Sequence, residues 1–326
     1  MTEKKCMKIV ILGAGAFGRL LGVFLSRGEH QVVLVDPDQE VVAAMNDKGI
    51  GFMEADAVDP DAVSYVATTA FGHASEIDSC DLVVLAVKSF NTLSAIQAAQ
   101  HLVRATSPVV TLQTGLGNIE TLERVVSRQN IIGGFTFMAA TALGPGVVRQ
   151  GGAGKTYLGE LDGSISERLS NVCTMFSECG LECTPVRRIT GRLWSKVIVF
   201  SAINALSSIL QVKNGQLLDD MESLTLLKRL VDEGRKVAEA QAVDLVFHDL
   251  YQLLFDGCRR TAQNLSSMLQ DILAGKQTEI DDQCGALVRF GEQAGIATPT
   301  QQTMLELVRL LSKQQQENRL ENRLRS

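Results

Sequence analysis

The stretch WSKVIVFSAINALSSILQV, Trp194 to Val212, holds one charged residue, Lys196, with an asparagine eight residues later at Asn204. A buried ammonium is costly unless it is paired or used. At 3.6 residues per turn, Lys196, Phe200 and Asn204 fall on one stripe of a helix. A polar stripe on an otherwise apolar helix marks a cavity or an interface. Burial lowers a lysine pKa, and the sequence puts Lys196 near a helix N-terminus, where the dipole acts in the same direction. A lysine tuned in this way can donate a proton to a carbonyl oxygen near neutral pH. Three other readings compete on local grounds. A membrane span from Val197 to Val212 is short and carries Ser201, Asn204, Ser207 and Ser208, which argues against it. A lysine near a helix end can snorkel to solvent, and a buried ion pair without chemistry would look the same.

A second chemical feature lies at the start of the chain. GAGAFG spells Gly13-x-Gly15-x-x-Gly18, with Ala14, Ala16 and Phe17 between the glycines. It follows an apolar run, KIVILG, and opens a helical pattern, the context that a dinucleotide-binding turn requires. The glycines allow a tight turn and close approach of backbone N–H groups to a pyrophosphate at a helix N-terminus. QVVLVD then ends at Asp36, eighteen residues after Gly18. A carboxylate there accepts from ribose hydroxyls and repels a 2′-phosphate. The next basic residue along the chain is Lys48, so NAD(H) is favoured over NADP(H). The competing reading makes Asp36 a helix cap, with Pro37 at the first helical position.

The elements that must hold these residues are legible in outline. KIVILG, QVVLVD, DLVVLAVK, PVVTLQ and NIIGGFTF alternate with helical patterns, beginning with Ala16 to about Arg27 and PDQEVVAAMNDKG. Continuous apolar strands alternating with helices imply a Rossmann-type, doubly wound parallel sheet. The glycine-rich GPGVVRQGGAGKTYLGEL suggests hairpin strands extending that sheet. After Arg188 helical patterns dominate. The expected organisation is therefore α/β: a dinucleotide-binding domain over 1–188, an all-α substrate and catalytic domain over 189–314, and a polar tail over 315–326.

Composition narrows the function classes. The 326 residues are 45% hydrophobic and 21% charged, with a net charge of −6. That balance suits a globular protein of two domains and argues against nucleic-acid or anionic-membrane binding. The seven cysteines, Cys6, Cys80, Cys173, Cys179, Cys183, Cys258 and Cys284, form no CxxC, so free thiols in the cytoplasm are expected and a metal site is not. The apolar run after the basic start is too short for a signal peptide.

These motifs together resemble the ketopantoate reductase (2-dehydropantoate 2-reductase) family. The resemblance rests on GAGAFG, LAVKSF, TLQTGLGNIETL, LWSKVIVFSAINALSSIL, KNGQLL and NLSSMLQDILAGKQTEIDDQCG, in the family's order from residue 7 to about 312. The SSMLQDI…TEID run is the most specific of them. The resemblance implies a Rossmann domain followed by a helical domain, with the active site in the cleft. It implies that Lys196 is the general acid, and that Glu279 aids catalysis from the cofactor side. Asn204, Asn214 and Ser267 would meet substrate, while Lys88 and Ala140 would contact cofactor. The chain departs from the family at two asparagines, replaced here by Thr114 and Phe200. Both positions normally meet substrate or the nicotinamide ribose, so Thr114 falls on the cofactor side and Phe200 in the substrate pocket. Asp36 replaces the basic residue commoner in NADPH-using members.

The expected activity is reduction of a small 2-oxo acid to the 2-hydroxy acid with NAD(P)H. The alternatives are a family member acting on a more apolar 2-oxo acid, because a phenyl ring stands where an amide would, and a dinucleotide-binding sensor with little turnover. The expected partner is a small molecule; a homodimer is possible, and neither nucleic acid nor membrane is expected.

Overall fold

The KIVIL run becomes an interior strand of a largely parallel sheet because it is apolar on both faces and helices cover both. The structure is a computed structural model that describes residues 6–59, 62–247 and 249–325, with side chains to residue 318. The strands are β1 (Lys8–Leu12), β2 (Gln31–Val35), β3 (Ile50–Met53), β4 (Ser64–Val66), β5 (Thr69–Phe71), β6 (Leu82–Leu85), β7 (Val109–Thr111), β8 (Ile131–Thr136), β9 (Ala139–Gly144), β10 (Val147–Gly152), β11 (Thr156–Glu160) and β12 (Cys183–Pro185). Helices α1 (Ala16–Arg27), α2 (Gln39–Lys48), α3 (Thr92–Ala98), α4 (Asn118–Glu123) and α5 (Glu167–Glu178) belong to the same half of the chain. The second half contributes α6 (Ile189–Leu210), α7 (Met221–Ala240), α8 (Leu250–Arg260), α9 (Ser267–Leu273), α10 (Cys284–Ala294) and α11 (Pro299–Arg325).

The main sheet has eight strands in the order β12-β11-β8-β7-β6-β1-β2-β5. All its pairings are parallel except β8 with β11. The alternating sheet of the sequence reading is thus present. The glycine-rich hairpin differs from expectation. β9 and β10 do not extend the main sheet; β10 pairs parallel with β3, and with β4 they form a separate four-stranded sheet. Only β11 joins the main sheet, antiparallel to β8.

The chain forms two compact units. One contains the described residues up to Gln113 together with Asn118–Ile189; the other contains Thr114–Gly117 and the chain from Thr190 onward. The first unit has apolar cores on the two faces of its sheet, one built on Ile9, Ile11 and Leu34 and the other on Val10, Val33 and Val83. The second has its own core, built largely on α6 residues such as Val197, Ile198, Val199 and Ile203. By length and composition α6 could cross a membrane, yet 83% of its apolar window is buried inside the protein; it is a core helix. Gly234 of α7 lets Ile198 sit against its backbone, since a Cβ there would come within 2.9 Å of the Ile198 side chain. The polar run from 315 continues α11 to Arg325; its side chains beyond 318 and residue 326 lie outside the described residues.

Candidate active site

The glycine turn is shaped by two requirements of the protein and one that the protein does not impose. Gly13 has φ +102° and a Cβ there would meet the Val87 backbone nitrogen at 2.7 Å. A Cβ on Gly18 would overlap the Gly13 carbonyl oxygen. These two glycines close the turn between β1 and α1 against the chain after β6. Gly15 is different: a Cβ there would touch nothing within 4 Å, and its φ of −62° is open to any residue. The space in front of Gly15 fits the close approach of a pyrophosphate. The α1 N-terminus above it has no side-chain cap and no acidic residue in its first turn, so its N–H groups and dipole suit an anion. Ala14 is buried, Gly15 exposed, and Ala16 and Phe17 half-buried beside it.

Asp36 follows β2 and is fixed on both carboxylate oxygens. Oδ2 accepts from the Ala14 N–H at 2.7 Å and Oδ1 from the Asp38 N–H at 3.0 Å. The capping alternative is corrected here. Asp38, not Asp36, caps α2, accepting from the N–H groups of Glu40 and Val41, so Pro37 precedes the cap rather than opening the helix. A cation that sequence spacing did not reveal also lies near. Arg19 is buried in α1 and donates to the carbonyls of Gly15, Gly144 and Val147. Burial lowers its pKa, and Asp36 and Asp38 act against that.

Lys88 follows β6 and is half-buried, and Ala140 lies in β9 opposite Gln150. The loops around Lys88 are braced by a buried network that the sequence reading missed. Gln113 donates to the Val87 carbonyl at 2.9 Å and to Thr92 Oγ1 at 2.7 Å; Thr92 Oγ1 donates to Asn118 Oδ1, and Asn118 Nδ2 to Ser89 Oγ. The signal was present, as polar residues directly after the apolar strands DLVVLAV and PVVT, but no local pattern pairs them.

The second unit gathers Lys196, Thr114, Phe200 and Glu279. Lys196 is 7% exposed; its Nζ donates to Thr114 Oγ1 at 3.4 Å and stands 5.8 Å from the Phe200 ring centroid. Burial lowers its pKa to about 8, and the Glu279 carboxylate acts in the opposite direction. The expected help from a helix N-terminus is corrected. α6 begins at Ile189, two turns before Lys196, and the dipole effect is confined to the first turn; burial alone makes the ammonium acidic. The Phe200 ring lies against α8, 3.6 Å from where a Gly257 Cβ would be.

Glu279 is buried at the head of a short turn, residues 279–283, that organises its neighbours. The Asp282 carbonyl accepts from the Leu116 N–H at 2.9 Å, which anchors the Thr114–Gly117 loop. The half-buried Asp282 carboxyl is pushed up to about 6 by burial, aided by Glu279 and opposed by Arg289. Asn204 Nδ2 donates to Gln283 Oε1 at 3.0 Å. Asn214 is engaged within the unit: Nδ2 donates to Thr261 Oγ1, the backbone N–H to the Asn264 carbonyl, and Oδ1 is sealed from solvent without a partner. Ser266 caps α9 and accepts from Ser207 Oγ at 2.8 Å. That link from α6 places Ser267, the first residue of α9, with its side chain exposed. Among the described residues no group of three or more His, Cys, Asp or Glu side chains could hold a metal ion.

Residues 9–163 match the family described as ketopantoate reductase PanE/ApbA, and residues 188–312 match its C-terminal domain. A 2-dehydropantoate 2-reductase of Halobacterium salinarum is 34% identical over 304 residues, covering 93% of this chain and 98% of that one. The chain belongs to the ketopantoate reductase PanE/ApbA family. It is an oxidoreductase acting between a carbonyl and its alcohol, as the motifs implied. A 2-dehydropantoate 2-reductase of Pyrococcus abyssi is 32% identical over 293 residues, covering 90% of this chain and 94% of that one. Among solved structures, a PanE/ApbA family ketopantoate reductase from Ralstonia eutropha matches with a TM-score of 0.85 and 30% identity, over 95% of this chain and all of that one. A ternary structure of D-mandelate dehydrogenase with NADH and anilino(oxo)acetate matches with a TM-score of 0.87 and 27% identity, over 95% and 99%.

Proposed function

We propose that this protein reduces a 2-oxo acid with an apolar side chain to the 2-hydroxy acid, with NADH in preference to NADPH. The observation that carries this reading is the Phe200 ring one helical turn from Lys196, with Nζ 5.8 Å from its centroid. Where the family's amide could bond a substrate hydroxyl, a phenyl ring offers none. The D-mandelate dehydrogenase neighbour supports the same direction, since its named ligand joins an oxoacetate to an anilino ring.

When bound, the nicotinamide supplies the hydride for the carbonyl carbon. Gly13, Gly15, Gly18 and the α1 N-terminus would hold the pyrophosphate, with Ala14, Ala16 and Phe17 lining the turn and Lys88 and Ala140 contributing contacts. The protein's own task is the proton. Lys196 Nζ carries it and delivers it to the carbonyl oxygen. Glu279 keeps the ammonium charged despite burial, and the Thr114 hydroxyl orients it by accepting one N–H. Asn204 and Ser267 are the residues we assign to the substrate.

Cofactor preference rests on Asp36. Its carboxylate is held in place by two N–H groups, and a 2′-phosphate beside it would meet an anion. Arg19 is committed to the carbonyls of Gly15, Gly144 and Val147, and turning to such a phosphate would give up these hydrogen bonds. The mandelate dehydrogenase structure named above and a second one contain NADH. None of the seven cysteines, all among the described residues, is joined in a disulfide, which supports a reducing compartment.

The test is kcat/KM for ketopantoate and for an aromatic 2-oxo acid, each with NADH and with NADPH, on wild type and Phe200→Asn. An unpaired substrate hydroxyl costs about 1–3 kcal/mol, so the wild type is expected to favour the aromatic acid roughly 5–150-fold. Phe200→Asn should move that ratio toward ketopantoate. A wild type that favours ketopantoate tenfold sinks the substrate assignment; one that favours NADPH sinks the cofactor assignment.

A further inference from the structure

We propose that Gln283 is the positioning residue for Asn204, holding its amide in the orientation that receives substrate. The inference rests on the reading above that Asn204 meets the substrate. A side-chain amide is nearly symmetric in shape, so its orientation is set by what it meets. Asn204 lies on the Lys196 stripe of α6 and is buried. One of its hydrogen-bonding sides is taken: Nδ2 donates to Gln283 Oε1 at 3.0 Å. The other side is left for a ligand. Oδ1 accepts no hydrogen bond from the described protein, yet it is not among the buried polar atoms that are sealed off, unlike Oδ1 of Asn214. With Gln283 Oε1 facing it as it does, turning the Asn204 amide over would set two side-chain oxygens against each other and lose this hydrogen bond.

Gln283 is itself unable to drift. It is 1% exposed, and its N–H donates to the carbonyls of Glu279 and Ile280. Its own carbonyl accepts from the Leu287 N–H at the start of α10. It ends the same turn that carries Glu279 toward Lys196 and, through the Asp282 carbonyl, fixes Leu116 beside Thr114. One short segment therefore sets the charge at the proton donor, the loop beside it and the amide two turns along α6. Gln283 acts through Asn204 and is a determinant of substrate affinity rather than of proton transfer.

The experiment is a double-mutant cycle of Gln283→Met and Asn204→Ala, read as KM and kcat for the best 2-oxo acid. Methionine keeps the length of glutamine and removes the acceptor. Each single change is expected to raise KM roughly 3–10-fold, the scale of one lost hydrogen bond, with kcat for Gln283→Met within about twofold. The double variant should match Asn204→Ala, because Gln283 has nothing left to position. Equal multiplication of the two effects, an unchanged KM in either single variant, or a fall in kcat without a rise in KM overturns the proposal. A second measurement needs no turnover: hydrogen exchange of the Asn204 side-chain amide by NMR. Exchange should be slow in the wild type and at least tenfold faster in Gln283→Met; equal rates also overturn the proposal. If no 2-oxo acid is reduced at all, the reading of function fails on that result, while the exchange rates still decide whether Gln283 holds Asn204.

Discussion

Lys196 is an acid made by its surroundings. Burial brings its pKa to about 8, and Glu279 opposes the fall without reversing it. Reduction needs the ammonium, which is the form present below that pKa. The value of kcat/KM for reduction is therefore expected to be level below about pH 8 and to fall roughly tenfold per unit above it. Glu279→Gln removes the charge that favours the ammonium, so the break should move to lower pH. A profile that stays flat to pH 10, or a break that moves upward in Glu279→Gln, would refute the assignment of the proton to Lys196. The lysine was visible in the sequence because a lone charge in an apolar helix is conspicuous, and Glu279 through the TEID motif. Gln283, Gln113 and Arg19 were not. A glutamine ahead of CGALV or an arginine after a glycine turn suits a solvated helix equally well, and only tertiary contacts show them buried and committed.

At the scale of elements, the turn between β1 and α1 separates folding from binding. Gly13→Ala and Gly18→Ala would each force side-chain volume into backbone and are expected to destabilise the protein by about 1–3 kcal/mol. Gly15→Ala meets no protein atom within 4 Å, so it should leave the melting temperature nearly unchanged and weaken NADH binding. Thermal melts and NADH fluorescence titrations on the three variants distinguish the roles; Gly15→Ala that binds NADH like the wild type would show that the open space is not the pyrophosphate site. The limits of α1 were legible because a glycine turn and Gly28 bracket one apolar periodicity. The destination of the β9–β10 hairpin was not. Its partner β3 is only four residues, IGFM, and lies far earlier in the chain, and nothing local records such a pairing. The helix expected from Pro37 begins two residues later, at Gln39, because Asp38 caps it while Asp36 accepts from the Ala14 N–H instead.

At the scale of the whole molecule the fold class followed from the change of pattern, strands alternating with helices and then helices alone. That contrast is set by strands buried on two faces against helices that mostly bury one stripe. What it could not show is Thr114–Gly117, which reads as an ordinary loop after a strand and yet belongs to the helical unit. Leu116 is buried in that unit's core. Leu116→Ala is therefore expected to cost about 2–4 kcal/mol and to speed amide exchange in α6, although the two are far apart in the chain; unchanged exchange in α6 would contradict this. The helical unit is thus not a contiguous stretch of gene. A recombination event that exchanges everything from residue 190 onward leaves four residues behind in the other parent. The new half then inherits a hole shaped for one leucine, a carbonyl awaiting one N–H and a lysine awaiting one hydroxyl, all filled by a loop with a different history. Chimeras that carry residues 114–117 along with the C-terminal half should inherit its activity intact, and in this family the two pieces are expected to travel together.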